Sequence, residues 1–414
     1  MAETAAHLVD HVLPHKNIRQ WVLTFPVPIR LCLAVRPKVM ARALEISHRV
    51  TSQYYRKKAG LNAKNSKSGA VTLIQRFGGS LNLNIHFHQL FVDGCYELSD
   101  KNEPIDFWVA SSPTIKEIEE VLTKIIQKIT KYLERQKIII KDDNDGGFQI
   151  PIPDEDTLSK LQAGSVTYRF ATGKSKGKKA IVLKSVTDTD HSATKGLVAK
   201  NSGFSLHAGV ATKAHERDKL EKICRYIARP AVSEERLSTD DCGNVIYRFK
   251  KPWDDGTTAL KLTPMELMER LVALVPRPRV HLTRYHGVLG PHYKHRKQIV
   301  PKPPELKVIG QEHDIIDPKQ LELKKKNIPW ARLLARVFNI DVETCIKCGG
   351  KMKIIAAIED PKVIRKILEH MGLATKPPPL HPARGPPKVQ HHFEEDFAQQ
   401  HFEMNFDNFN QSAV

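Results

Sequence analysis

Two histidines stand two residues apart inside an apolar run, NLNIHFHQLFVDG, from Asn82 to Gly94. Strand alternation sends His86 and His88 to one face and Phe87 to the other. Two imidazoles side by side are costly to bury unless each finds a partner, and a divalent metal is one such partner. The preceding run AVTLIQRF, Ala70–Phe77, is rich in strand formers, and the GGS after it marks a turn. Together the two runs predict an antiparallel hairpin with the histidines on one of its strands.

The rest of the chain must build around that hairpin. At 414 residues it is too long for one ordinary core, so two or three units are expected. A strand at Trp21–Phe25 meets prolines, and a helix follows around Val39–Tyr55. Residues 113–135 predict an amphipathic helix with Ile115, Ile118, Val121, Leu122, Ile125, Ile126 and Ile129 on its apolar stripe. Residues 140–200 form an insertion in which DDNDGG and TGKSKGKK are flexible and VTYRF and IVLKSV are short strands. GFSLHAGV, Gly203–Val210, reads as a strand, and AHERDKLEKICRYIA as a helix stopped by Pro230. NVIYRFK and TTALKL pair as a hairpin. Thr263, Pro264 and Glu266 are the N-cap, first residue and capping-box partner of a further helix. Antiparallel hairpins mixed with helices predict an α+β fold around a central antiparallel sheet. This organisation gives a main domain over 1–300, a Pro- and Lys-rich linker over 301–328, a small unit over 329–371 and a disordered tail over 372–414.

A net charge of +19 and a pI near 9.5 point to a polyanionic partner, nucleic acid first. There is no bilayer-spanning run and no secretory signal at the N-terminus, so a cytoplasmic protein without a membrane partner is expected. Thinly spread cysteines fit a reducing compartment. Cys345 and Cys348, in CIKCGG, have the spacing of half a zinc knuckle and read either as a structural Zn²⁺ site or as its remnant. In KICRYIARP, Tyr226 falls on the flank of its helix beside Arg225 and Arg229. A phenol attacks phosphorus when a metal polarises the phosphate and cations stabilise the phenolate. The stretch RPRVHLTRYHGVLGPHYKHRK interleaves Arg277, Arg279, Arg284, Lys294 and Arg296 with Tyr285 and Tyr293, as a phosphate track with stacking rings would. Tyr285 and Tyr293 are rival nucleophiles. TGKSKGKK lacks phosphate-loop spacing and reads as a flexible basic loop.

VTLIQRFGGSLNLN with the histidine strand, GFSLHAGV, ICRYIARP and VPRPRVHLTRYHGVLGP together resemble the HUH-type rolling-circle transposases, in the single-tyrosine branch of the two-tyrosine family. The resemblance covers roughly 10–300. It implies an insertion-sequence enzyme acting at the bacterial nucleoid on single-stranded DNA, at element ends and target. His86 and His88 would hold Mg²⁺ or Mn²⁺, with Gln75 or His207 as third ligand. Tyr226 would form a 5′-phosphotyrosine. Pro230 stands where relatives carry a second tyrosine, and the N-terminal zinc module of relatives is missing, so an inactive DNA-binding remnant is one alternative. A replication or transfer nickase with the same chemistry is another.

Overall fold

The computed structural model describes residues 1–101, 103–141, 148–149, 156–184, 197–250, 252–253, 255–301, 330–338, 340–345, 348–352, 358, 360–372 and 375. The chain divides into a larger unit over 3–304 and a smaller one over 305–393. DDNDGG and nearly all of both the 301–328 linker and the 372–414 tail expected to be disordered lie outside the described residues.

The larger unit is an α+β fold built on a seven-stranded antiparallel sheet. Its main path runs Val198–Asn201, Phe204–His207, Ile18–Thr24, Leu83–Val92, Gly69–Phe77 and Thr283–Gly287. Ala211–Thr212 pairs beside Ile18–Thr24. The predicted hairpin is the middle of this sheet: Gln75 opposes His86 and Leu73 opposes His88. The histidine strand is buried at every position because helices cover both of its faces.

The face opposite the histidines carries Trp21, Leu23, Phe87, Phe91 and Ile74, packed under the helices Val27–Val35, Pro37–Lys58 and Ile115–Arg135. Each fully buried large side chain there contributes about 1.5–3 kcal/mol. Arg19 and Asp93 form a buried ion pair at 2.9 Å on this side. Tyr55 donates to Asp93 and Trp21 to Tyr55, so the buried charges are hydrogen-bonded as well as paired. Arg19 Nη1 also donates to the Ala208 carbonyl at 2.9 Å, which ties down the strand of His207. The histidine face is covered instead by Ala2–His11 and Arg217–Ile227, through Leu8, Val9, Leu220, Ile223, Cys224 and Ile227.

An appended module completes the unit. Its four strands run Leu237–Thr239, Val245–Arg248, Thr257–Leu262 and Ile181–Lys184. Leu260, Leu262 and Phe170 form its small core, with Leu267 of the helix Pro264–Leu274 against them. The module grips the GGS turn of the histidine hairpin: Arg236 Nη2 donates to Gly79 O at 3.0 Å and Arg270 Nη1 reaches Ser80 O at 3.5 Å.

Several local expectations are corrected. VTYRF is not a strand: Val166 ends the helix Thr157–Val166, and only Arg169 and Phe170 make isolated bridges. GFSLHAGV is a strand only over Phe204–His207: the chain breaks at Ala208–Val210 before a second short strand, Ala211–Thr212. Ile115 is exposed, because the capping box of Thr114 and Glu117 sets the start of its helix outside the packed stripe. The helices Ala2–His11 and Val27–Val35 and the strand Thr283–Gly287 had no expectation.

The smaller unit contains the helices Trp330–Phe338 and Pro361–His370, the latter capped by Asp360. In its cysteine turn, the amide of Cys345 donates to Gly350 O and that of Gly349 to Cys345 O, both at 2.8 Å.

Candidate active site

Alternation along the central strand puts His86 and His88 on one face, their rings 4.9 Å apart and inclined at 65°. Sheet register extends this face sideways. One row across the sheet is His207, Val22, His88, Leu73 and Thr283, and the next is Ser205, Thr24, His86 and Gln75. Both sequence-derived candidates for a third ligand therefore share the face of the histidine pair. Gln75 is His86's direct neighbour. His207 stands one strand further from His88, across Val22.

His86 Nδ1 donates to the Asn84 carbonyl at 2.8 Å. Its Nε2 then presents a lone pair, 2.9 Å from Gln75 Oε1. The other end of the Gln75 amide donates to Ile227 O at 3.0 Å. This chain begins and ends on carbonyl oxygens, so a neutral imidazole leaves it one positive hydrogen short. Burial holds His86 at about 4, aided by the charges of Arg30 and Arg229, so the imidazole stays neutral at pH 7. Two lone pairs facing each other at 2.9 Å match the separation of neighbouring ligands on an octahedral ion with bonds of about 2.1 Å, which is about 3.0 Å.

His88 is also held well below the ordinary imidazole value, first by burial, then by His86 and Arg229. Its Nδ1 receives a hydrogen bond from Gln20 Nε2 at 2.7 Å, and its Nε2 is buried with no hydrogen-bond partner among the described residues. With the Gln20 amide turned about its last bond, Oε1 accepts from Nδ1–H and His88 Nε2 carries a lone pair instead of the proton. An orphaned buried nitrogen beside a proton-short chain is what a divalent cation would satisfy. The residues fit such an ion, with the Gln75 oxygen 2.9 Å from His86 Nε2. Among the described residues, no three histidine, cysteine or carboxylate side chains converge as a metal group. Gln20 and Asn84 had not been singled out from sequence. Gln20's signal was an amide at an inward alternating position of a buried strand.

Tyr226 sits near the end of the helix that closes over this face, half-buried against the Leu73, Leu90 and Ile223 cluster. Arg229 lies over its ring at 4.4 Å, and the same guanidinium depresses both histidines. Nucleophile candidate, cation and histidine pair therefore share one electrostatic neighbourhood. Arg225 is held by Glu221 at 3.7 Å.

The remaining candidates scatter. Tyr285 points to the histidine face, opposite Val71, and is partly buried, its phenol raised by burial. Tyr293 is partly buried and raised for the same reason. Arg277 is occupied internally by Asp156 and Ser159, at 2.7 and 2.8 Å. Arg284 donates to His281 O and Arg296 to Leu289 O. Arg279 and Lys294 are exposed. Cys345 and Cys348 remain a pair among the described residues.

Among the described residues, no helix is long and apolar enough to cross a membrane. No curated protein and no solved structure matches the chain. The family model Y2_Tnp, described as "Putative transposase", matches residues 69–297, which hold the histidine hairpin, the tyrosine helix and the appended module. That match takes in more than half of the sequence, and the chain belongs to this transposase family.

Proposed function

We propose that the chain is a transposase that cuts and rejoins single-stranded DNA through a covalent link to Tyr226. One observation carries the reading: the Gln75 amide stands between the histidine pair and the end of the tyrosine helix, its Oε1 2.9 Å from His86 Nε2 and its Nε2 donating to Ile227 O. His86, His88 and Gln75 would hold Mg²⁺ or Mn²⁺, which would supply Lewis-acid polarisation of the scissile phosphate. The chain's own residues do the rest. Tyr226 Oη attacks phosphorus and the P–O3′ bond breaks, leaving a 5′-phosphotyrosine and a 3′-OH, so the phenol proton ends on the released oxygen. Arg229, over the Tyr226 ring, stabilises the phenolate more than the phenol. A second 3′-OH reverses the step and returns the proton to Tyr226. The phosphodiester energy is kept in the intermediate, so no nucleotide cofactor is needed. Pro230 leaves the helix without a second tyrosine four residues on, so one tyrosine serves each cycle. The protein works on DNA in the bacterial cytoplasm, and Cys345 and Cys348 offer two thiolates to a structural Zn²⁺.

The test is a denaturing gel of protein with single-stranded DNA from the element's ends and Mn²⁺. A covalent band lost in Tyr226→Phe and in His86→Ala/His88→Ala supports the reading. A band that survives Tyr226→Phe moves the nucleophile to Tyr285 or Tyr293. Binding without any band leaves a DNA-binding remnant. Cutting at a replication or transfer origin, rather than at element ends, identifies a nickase.

A further inference from the structure

The loop from Tyr168 to Lys179 has no part in the chemistry above. It carries five cations, Arg169, Lys174, Lys176, Lys178 and Lys179, and no acid occurs between Tyr168 and Lys184. All five are exposed. The loop is nevertheless built rather than loose. Phe170 N donates to Lys178 O at 3.0 Å, Gly177 N to Phe170 O at 2.8 Å and Arg169 Nη1 to Gly177 O at 2.6 Å. Glu269 anchors it by accepting from Ala171 N and from Thr172 Oγ1. Five like charges in a fixed loop repel one another, and a polyanion relieves that cost.

Two further observations stand beside the loop. Beneath it, Arg270 is 2% exposed and lies 5.5 Å from the Phe170 ring. Its Nε and Nη2 have no hydrogen-bond partner among the described residues, an expensive state for a buried guanidinium. At the loop's start, Tyr168 takes a left-handed backbone conformation, with φ +60°, and meets Trp253 edge-on at 5.9 Å. Trp253 in turn stacks on Phe249 at 4.9 Å, and its Nε1 is unpartnered among the described residues. Cations set against a row of half-exposed rings suit a single strand, whose phosphates pair with the former while its bases stack on the latter.

We propose that this loop and the Trp253 ring row form a second binding surface for single-stranded DNA, which holds the strand outside the segment being cut. The inference rests on the transposase reading for the identity of the strand. The module's grip on Gly79 and Ser80 fixes this surface to the histidine hairpin, so one strand can engage both.

The experiment uses the full chain and a fluorescein-labelled single-stranded oligonucleotide of mixed sequence, about 30 nucleotides long and so able to occupy more than one binding site. Anisotropy is measured over a range of NaCl concentrations. Lys174→Ala/Lys176→Ala/Lys178→Ala/Lys179→Ala changes exposed side chains only. It is expected to weaken binding by about 30-fold at low salt and to reduce the slope of log K against log salt by about 3, at about 0.7 per phosphate. Tryptophan fluorescence is expected to be quenched by the oligonucleotide in the wild type and much less so in Trp253→Phe. Unchanged affinity and slope in the lysine variant overturn the proposal, as does duplex DNA binding the loop as well as a single strand. The covalent-adduct assay on the wild type keeps the two readings apart. No adduct, with binding lost in the lysine variant, leaves this surface standing without the nuclease. An adduct with unaltered binding does the reverse.

Discussion

Gln75 is the residue on which the site turns. It is a neutral amide on a buried strand, and its two ends serve two partners at once, His86 Nε2 and Ile227 O. Gln75→Leu roughly keeps the volume and removes both the oxygen facing His86 and the hydrogen bond to Ile227 O. It is expected to weaken Mn²⁺ binding, read by calorimetry, by 10-fold or more, the scale of losses around metal ligands. The covalent product should fall at least as far, and EDTA should abolish it in the wild type. His48 and His286 offer a second test, on the other face of the sheet. Their rings stack at 4.5 Å. Burial is the first cause that lowers each, His48 to about 3 and His286 to about 4, with the His286 charge adding to the first and Arg284 to the second. Their folded values lie below the ordinary 6.5, so the unfolded chain takes up protons first as pH falls. The stability they contribute is whole above about 6.5 and is lost below it, down to about 4 for His286 and about 3 for His48, at up to about 1.4 kcal/mol per pH unit for each group. Urea unfolding of His48→Phe at pH 7.5 and 5.0 should show a shallower loss than the wild type.

Elements whose signal is local were legible in the sequence. The capping box at Thr263 and Glu266 is present as read, with Glu266 N bonded to Thr263 Oγ1 at 3.3 Å. Thr263→Ala should cost about 1 kcal/mol in denaturant unfolding, without moving the histidine hairpin. The hairpin itself was readable because two strand-forming runs flank one glycine turn, and the shared face of His86 and His88 follows from alternation alone. What sequence left open depended on register between distant segments. Nothing local pairs Thr283–Gly287 with Gly69–Phe77, or sets His207 across Val22 from His88. Sequence therefore could not rank Gln75 against His207, because only the register shows that the first directly opposes His86 while the second stands across Val22 from His88. VTYRF failed as a strand because its β-favouring residues straddle a helix end and a left-handed turn at Tyr168.

At the scale of the whole molecule, charge and topology set the behaviour. With a net charge of +19, single-strand binding should weaken steeply with salt, each neutralised phosphate adding about −0.7 to the slope of log K against log salt. A titration of oligonucleotide affinity against NaCl reads that slope, and a flat line would remove the polyanion as partner. Topology has a different outcome, which lies in synthesis. The two central hairpin strands are made early and adjacent, but each needs a neighbour from elsewhere: Ile18–Thr24 arrives before them, Thr283–Gly287 some two hundred residues after. Until that last strand leaves the ribosome, Gly69–Phe77 presents a long apolar edge to other chains. A chain that stops short of residue 283 leaves this edge unpaired, and it is expected to be cut by protease and to aggregate sooner than the full chain.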